Sequence, residues 1–290
     1  MRWRGRRTSS NVEDRRGGGA FGGRGGRRVG VRGAGIGGAG LVILLLVGLV
    51  FGVDVTPLLD PGGGTVTTEA PSGPNRIDDE TEEFVAVVLA ETEEVWGEIF
   101  AESGAEYAEP TLVLYSGVTS SACGTAQSAV GPFYCPADQR IFLDTDFFRV
   151  MEERLGGGGD FAAAYVIAHE IGHHVQQEIG TLGEANAMRA RMSEAEANAV
   201  SVRVELQADC YAAIWARAAR ERLAIGRDDI EEALATAAAI GDDALQRQGR
   251  GVVVPDSFTH GTSEQRQRWF IRGFESGDPA DCDTFAAERL

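Results

Sequence analysis

The chain contains no lysine; every basic side chain apart from histidine is an arginine, a compositional bias that carries no mechanism. Histidine is nearly as scarce, with four in 290 residues. Cysteine is also held to four, and no CxxC pair occurs, which argues against a cysteine-ligated zinc site. No internal repeat is evident.

What the sequence does have is concentrated. Three of the four histidines, His169, His173 and His174, fall in one short apolar segment, within and just after His169-Glu170-Ile171-Gly172-His173. Residues four apart on a helix lie almost above one another, so His169 and His173 can present ring nitrogens to one metal ion. Glu170 is rotated by about 100° from His169, placed to hold a water beside the metal rather than to join the ligand set. His174 is turned by about the same angle from His173 and reads as a packed or hydrogen-bonded histidine.

The segment from Phe161 to Ile179 has no proline, follows Gly156–Gly159, and carries Asp160 as its expected N-cap. Its apolar neighbours Tyr165, Val166, Ile167, Ala168, Ile171 and Val175 predict a helix enclosed on most sides.

A catalytic zinc site needs a third protein ligand and an open position for water. The metzincin pattern would place a glycine and a third histidine where this chain has Gln176 and Ile179, so that pattern is excluded. Ser193 to Arg222 reads instead as a second long helix, with Ser193 and Glu196 as a capping box. On it, Glu205 and Asp209 lie one turn apart. Glu205 can reach the metal as third ligand, and Asp209 can receive the second ring N–H of a ligand histidine and fix its tautomer.

These residues resemble those of the neutral zinc metallopeptidase family of bacteria, through His169–His173 and Glu205-Leu206-Gln207-Ala208-Asp209-Cys210-Tyr211-Ala212. Ser121-Ala122-Cys123-Gly124, Gly131-Pro132-Phe133-Tyr134-Cys135-Pro136 and Ser257-Phe258-Thr259-His260-Gly261 through Arg266 to Trp269 are similar to further blocks of that family. The resemblance spans about residues 76–282 and implies a gluzincin-like, zinc-dependent fold.

A second resemblance is to membrane-associated HExxH peptidases whose third ligand is the Glu of ExxxD. They carry a later Thr-His block followed by an arginine, which Thr259-His260 and Arg266 match, with Gly261 where those peptidases usually have proline. This resemblance implies that His260 hydrogen-bonds a tetrahedral oxyanion and that Arg266 supports it. The plainer alternative is a loop histidine ahead of a helix capped by Ser263.

The fold class expected is α+β: a mostly helical, zincin-like domain over residues 76–290 with a small β-sheet, preceded by one transmembrane helix. Apolar spacing predicts a helix over about Asp78 to Phe100. Thr111–Tyr115 and Arg140–Asp144 read as short strands, the second a candidate edge strand for an extended peptide.

Ahead of the domain, residues 33–53 carry no charge and match the length of one membrane-crossing helix. Residues 54–75 are rich in Gly, Pro, Thr and Ser and read as a linker. Ten arginines against Glu13 and Asp14 give residues 1–32 a net charge of +8 and leave −25 for the rest of a chain whose total is −17. By the positive-inside rule this Arg/Gly-rich tail is cytoplasmic and the catalytic domain extracytoplasmic, on a single-pass anchor that also meets membrane lipid. A cleaved signal peptide is the alternative. Nucleic acid is a further conceivable partner for the arginines, but nothing else in the chain supports it.

Four cysteines suit two disulfides in an oxidising compartment. Three pairings are possible; Cys123 with Cys135 would close a short loop, and Cys210 with Cys282 would staple the tail to the site.

The expected function is hydrolysis of a peptide or protein substrate with Zn2+ as cofactor. His169, His173 and Glu205 serve as ligands, Glu170 as general base, and Asp209 and Arg266 as supports. A tethered zinc-binding module without catalysis, and a zinc hydrolase of a non-peptide amide, are the competing readings.

Overall fold

The computed structural model describes residues 1–16, 77, 79–127, 131–148 and 159–290. The segment 33–53 expected to cross a membrane and the linker 54–75 lie outside the described residues. Among the described residues, no helix is long and apolar enough to cross a membrane.

Seven helices are described: α1 (Glu80–Glu102), α2 (Asp160–Glu178), α3 (Thr181–Arg189), α4 (Glu194–Ala218), α5 (Arg227–Ala239), α6 (Asp242–Arg250) and α7 (Ser263–Ser276). The strands are β1 (Val12–Asp14), β2 (Thr111–Tyr115), β3 (Val118–Ser121), β4 (Gly124–Gln127), β5 (Phe133–Cys135) and β6 (Arg140–Asp144). The class is therefore mostly helical with a small sheet, as the sequence predicts.

The main sheet has the order β1-β2-β6-β5, and β3 with β4 forms a separate hairpin. Strands β1, β2 and β6 run parallel, whereas β5 is antiparallel to β6. Alternation along the strands sorts the side chains: Leu112, Leu114, Ile141 and Leu143 join the main core, and Val113, Tyr115, Phe142 and Cys135 form a second cluster on the opposite face. Arg140–Asp144 is thus an interior strand and not the expected edge. The antiparallel edge is β5, only three residues long and too short to register as an alternating pattern.

The two long helices begin and end close to their expected limits. Ser193 and Glu196 make the capping box of α4, which stops at Ala218 rather than Arg222. Gly159, not Asp160, is the N-cap of α2. Asp160 lies in the first turn, where its carboxylate accepts a hydrogen bond from Trp3 Nε1 at 2.6 Å. Helix α1 starts at N-cap Asp79, whose carboxylate accepts from the Glu82 amide at 2.9 Å.

Helices α2 and α4 pack on each other, and α4 packs on α7. Both crossings depend on glycine. A Cβ on Gly172, inside the HExxH motif, would stand 3.0 Å from the Ala208 Cα and carbonyl oxygen; one on Gly273 would stand 2.2 Å from the Cys210 carbonyl oxygen. The first close approach brings Glu205 and Asp209 to the histidine helix, and the second brings Arg266 to Asp209. Cys210–Cys282 and Cys123–Cys135 are the two disulfides, and no described cysteine is free.

The first sixteen residues depart from the expectation of a tail separate from the domain. They run along α1 and end in β1, which pairs in register with β2, Val12 beside Leu112 and Asp14 beside Leu114. Trp3 and Val12 are buried in the main core. A high arginine content marked this stretch as a tail, but acids of α1 and its N-cap receive four of those arginines, Arg4, Arg6, Arg7 and Arg16.

Candidate metal centre

The HExxH segment lies on the inner face of α2, with His169 and Glu170 buried and His173 half-buried. The rings of His169 and His173 stand nearly perpendicular, their centroids 4.8 Å apart. Glu205, from α4, faces both. His169 Nε2 is 3.2 Å from Glu205 Oε2, and His173 Nε2 is 3.5 Å from Glu205 Oε1. Among the described residues, these three form the group whose donor atoms all lie within 4.8 Å of one another.

The outward nitrogens are both engaged. His169 Nδ1 donates to Asp209 Oδ1 at 2.8 Å. His173 Nδ1 donates to Gln176 Oε1 at 2.9 Å. The Gln176 amide cannot be flipped, because its Nε2 donates to the Val204 carbonyl at 2.7 Å and to Gln207 Oε1 at 3.0 Å. Gln207 is fixed in turn, its Nε2 donating to the Cys282 carbonyl at 3.0 Å.

With both Nδ1 positions protonated, the neutral rings turn bare Nε2 lone pairs toward a carboxylate. Three acceptors aimed at one place repel unless a cation sits among them. Two imidazoles and one carboxylate are the donor set of a catalytic zinc site with a position left for water, so the residues present fit Zn2+.

Behind the ligands, Asp209 is fully buried and saturated. Its Oδ1 also accepts from the Tyr165 hydroxyl at 2.5 Å, and Arg266 grips both oxygens at 2.8 Å. Burial by itself would raise the Asp209 carboxyl; Arg266 and His169 outweigh it and hold it at about 2. Burial likewise opposes charge on His169, yet Asp209 and Glu205 raise its pKa from 6.5 to about 10 in the metal-free protein. Glu205, burial notwithstanding, is held well below its ordinary range by His173, His260 and His169.

Glu170 is buried beside the edge strand β5, and burial raises its pKa above the ordinary carboxylate value. The histidines oppose that shift, as does the backbone N–H of Tyr134. A carboxyl with raised affinity for a proton, next to the metal position, is suited to general-base work.

The loop 259–261 is built on Asp242, the first residue of α6. Asp242 Oδ2 accepts from the amides of Thr259, His260 and Gly261 at 2.8, 2.6 and 3.0 Å. Its Oδ1 lies 3.3 Å from His260 Nδ1. Burial disfavours a charged His260, but Glu205 and Asp242 raise its pKa. Helix α7 is capped by Thr262 rather than Ser263; the Ser263 hydroxyl donates to Ala238 instead.

His174 stands apart from the centre. Its Nε2 donates to the Ala108 carbonyl at 2.6 Å, and its Nδ1 accepts from the Tyr134 hydroxyl at 3.1 Å.

The structure brings together every expected metal and support residue, with Arg266 reaching the His169–Asp209 pair. Gln176, Gln207, Tyr165 and Asp242 were missed as participants. Gln176 carried a usable signal, since it lies three residues after His173 and so on the same helix face. Tyr165 reads as one more apolar position, and the acid that organises His260 lies 18 residues upstream of it.

Comparison with known proteins agrees with this geometry. "Uncharacterized protein YpfJ" of Escherichia coli is 49% identical over 290 residues, covering 98% of this chain and 99% of that protein. "Uncharacterized protein Rv2575" of Mycobacterium tuberculosis is 47% identical over 195 residues, 63% of this chain and 65% of that one. No solved structure matches. A family model described as "Putative neutral zinc metallopeptidase" matches residues 1–285, and the chain belongs to that family.

Proposed function

We propose that the protein is a zinc-dependent endopeptidase acting on extended segments of peptide or protein. One observation carries the reading: His169 Nε2, His173 Nε2 and the Glu205 carboxylate converge while Asp209 and Gln176 occupy the outward nitrogens. Zinc, when held by these three residues, supplies Lewis acidity toward a water molecule and a substrate carbonyl.

The chain's own groups do the rest. Glu170 accepts a proton from the attacking water and delivers it to the departing amine, so one carboxylate serves as base and then acid. His260, held by Asp242 through its amide and Nδ1, donates toward the developing oxyanion. Arg266 keeps Asp209 ionised and thereby holds the His169 ring in place. Among the described residues β5 has no strand on its outer side, and its Tyr134 amide adjoins Glu170. An extended peptide added there by main-chain pairing would run past the metal position; main chain is common to all internal segments, which favours endopeptidase action.

The two disulfides support action in an oxidising, extracytoplasmic compartment. The test uses the full chain beside Glu170→Gln, with zinc content and casein hydrolysis measured on both. Zinc in both and cleavage by the parent alone is expected. Full activity in the variant would sink the role given to Glu170, and a folded parent without zinc would sink the metal centre.

A further inference from the structure

Helix α1 is buried around its whole circumference from Phe84 to Glu93. Val85 to Leu89 are fully buried, and so are or nearly are the acids Glu82, Glu91 and Glu93, at 0%, 4% and 5% exposure. Carboxylates so enclosed need cationic or hydrogen-bonding partners.

Most of those partners come from the first sixteen residues; Arg222 Nε adds a bond to Glu91 at 2.9 Å. Arg6 Nε donates to Glu91 at 2.7 Å, Arg7 lies 3.7 Å from Glu93, and Arg16 reaches Asp79 at 2.7 Å and Glu82 at 3.4 Å. Ser9 and Asn11 side chains both donate to Glu93. The contacts are not only ionic. Trp3 sets its ring edge against Phe84, centroids 5.3 Å apart, and its Nε1 bonds Asp160 at the start of the HExxH helix. The main chain is engaged as well: Ser9 N donates to Ala86 O at 2.9 Å, Leu112 N to Asn11 O at 2.8 Å, and Arg15 N to Leu114 O at 2.7 Å.

We propose that the strip formed by α1 and the outer edge of β2 is a docking surface for the chain's own arginine-rich arm, Met1–Arg16, and that this docking keeps both flanks of Gly33–Val53 on one side of any membrane. Arm and domain share a sheet and a core, so no bilayer separates them. A helical crossing takes about 20 apolar residues, and a return would take about as many again. Residues 33–53 suffice for one crossing only. Residues 54–75 offer no second, because they include Asp54, Asp60, Glu69 and four prolines, Pro57, Pro61, Pro71 and Pro74. The apolar segment therefore does not carry the chain through the bilayer, and Arg4, Arg6, Arg7 and Arg16 serve as counter-charges to the acids of α1 and its N-cap.

The experiment is independent of catalysis. All native cysteines in the domain are disulfide-bonded, so the full chain accepts single reporter cysteines at two exposed positions, Ser10→Cys in the arm and Ala187→Cys on α3. Each is treated with a membrane-impermeant maleimide on intact spheroplasts and again after permeabilisation. Equal labelling of the two before permeabilisation, or of neither until it, is expected; labelling of one alone in intact spheroplasts would overturn the inference. Hydrogen exchange on the unaltered full chain checks the docking without any substitution. The Ser9 and Arg15 amides should exchange about a thousandfold more slowly than in a free peptide, and free exchange at both would overturn it.

Discussion

Asp209 Oδ1 stands 2.8 Å from His169 Nδ1 and accepts its hydrogen bond, while Arg266 holds the same carboxylate from the other side. The pair sets one imidazole's tautomer with a charge that is itself neutralised. Asp209→Asn keeps the volume and loses that charge, and loss of such a partner costs about 10–100-fold in metal affinity. Asp209→Ala should do more, because it strands a buried Arg266 guanidinium, a loss of about 3–5 kcal/mol. Zinc titration of the first variant and denaturant melts of the second separate these effects. Unchanged zinc affinity in Asp209→Asn would remove Asp209 from the metal centre.

The second ligand histidine is held by different chemistry. His173 donates its Nδ1–H to the amide oxygen of Gln176, which hands the hydrogen-bond chain on to Gln207 and the Cys282 carbonyl. Gln176→Leu removes the acceptor and leaves the Nδ1 proton of His173, the Val204 carbonyl and Gln207 without their partner. Zinc affinity should fall about tenfold or more. The 15N shifts of His173 should also show mixed tautomers, which a merely structural loss would not produce. A variant with wild-type zinc affinity and a single His173 tautomer would show that the chain of amides is packing only.

Proton and metal compete for one site, and the zinc-free chain should reveal it. Folding raises the His169 pKa from 6.5 to about 10. A group raised in this way contributes stability that is fully present below its unfolded pKa and is lost as pH rises through the folded one. The metal-free protein should therefore lose thermal stability between about pH 6.5 and 10, with a slope of up to about 1.4 kcal/mol for each step of one in pH. Zinc replaces that proton, so saturating zinc should abolish the decline over the same window. Parallel thermal scans with and without zinc measure both curves. A metal-free protein whose melting temperature stays level across the window would contradict the ring's placement between Asp209 and Glu205.

Much of this centre was legible because helical spacing is a local rule. His169 and His173 share a face whatever the rest of the chain does, and so do Glu205 and Asp209. The packing of one helix on the other could be guessed from apolar neighbours, but its reason, the missing Cβ at Gly172, needed the partner backbone at Ala208. Asp242 was invisible because its three amide partners and His260 arrive from a loop past the end of α6, a contact without a local pattern. The arm was misread for a different reason. Six arginines in sixteen residues resemble a solvated tail until the buried Glu82, Glu91 and Glu93 that receive three of them, Arg16, Arg6 and Arg7, are seen.

Gly172 supplies a prediction of its own. Gly172→Val would drive a branched side chain into the Ala208 backbone, now 3.0 Å from the nearest Cβ position. Backbone at that contact gives way only if α2 and α4 separate, and overpacking of this kind costs about 1–3 kcal/mol. Separation withdraws Glu205 from the histidines, so zinc affinity should fall further than stability alone would suggest. Zinc titration and thermal melts on the same preparation make the comparison.

The Cys210–Cys282 disulfide closes a span of 72 residues that contains α5, α6 and the His260 loop. Chain-entropy reasoning puts the stabilisation from a loop of that length at about 4 kcal/mol. Its cost of removal should extend beyond stability, because Cys282 also supplies the carbonyl that fixes Gln207, and through Gln176 the His173 ring. Cys282→Ser should lower the melting temperature and weaken zinc binding together. Paired with Gln176→Leu, the loss in zinc affinity should be less than the sum of the two single losses, since both act through one chain of hydrogen bonds. Strict additivity in that cycle would mean that the disulfide stabilises the fold without reaching the metal.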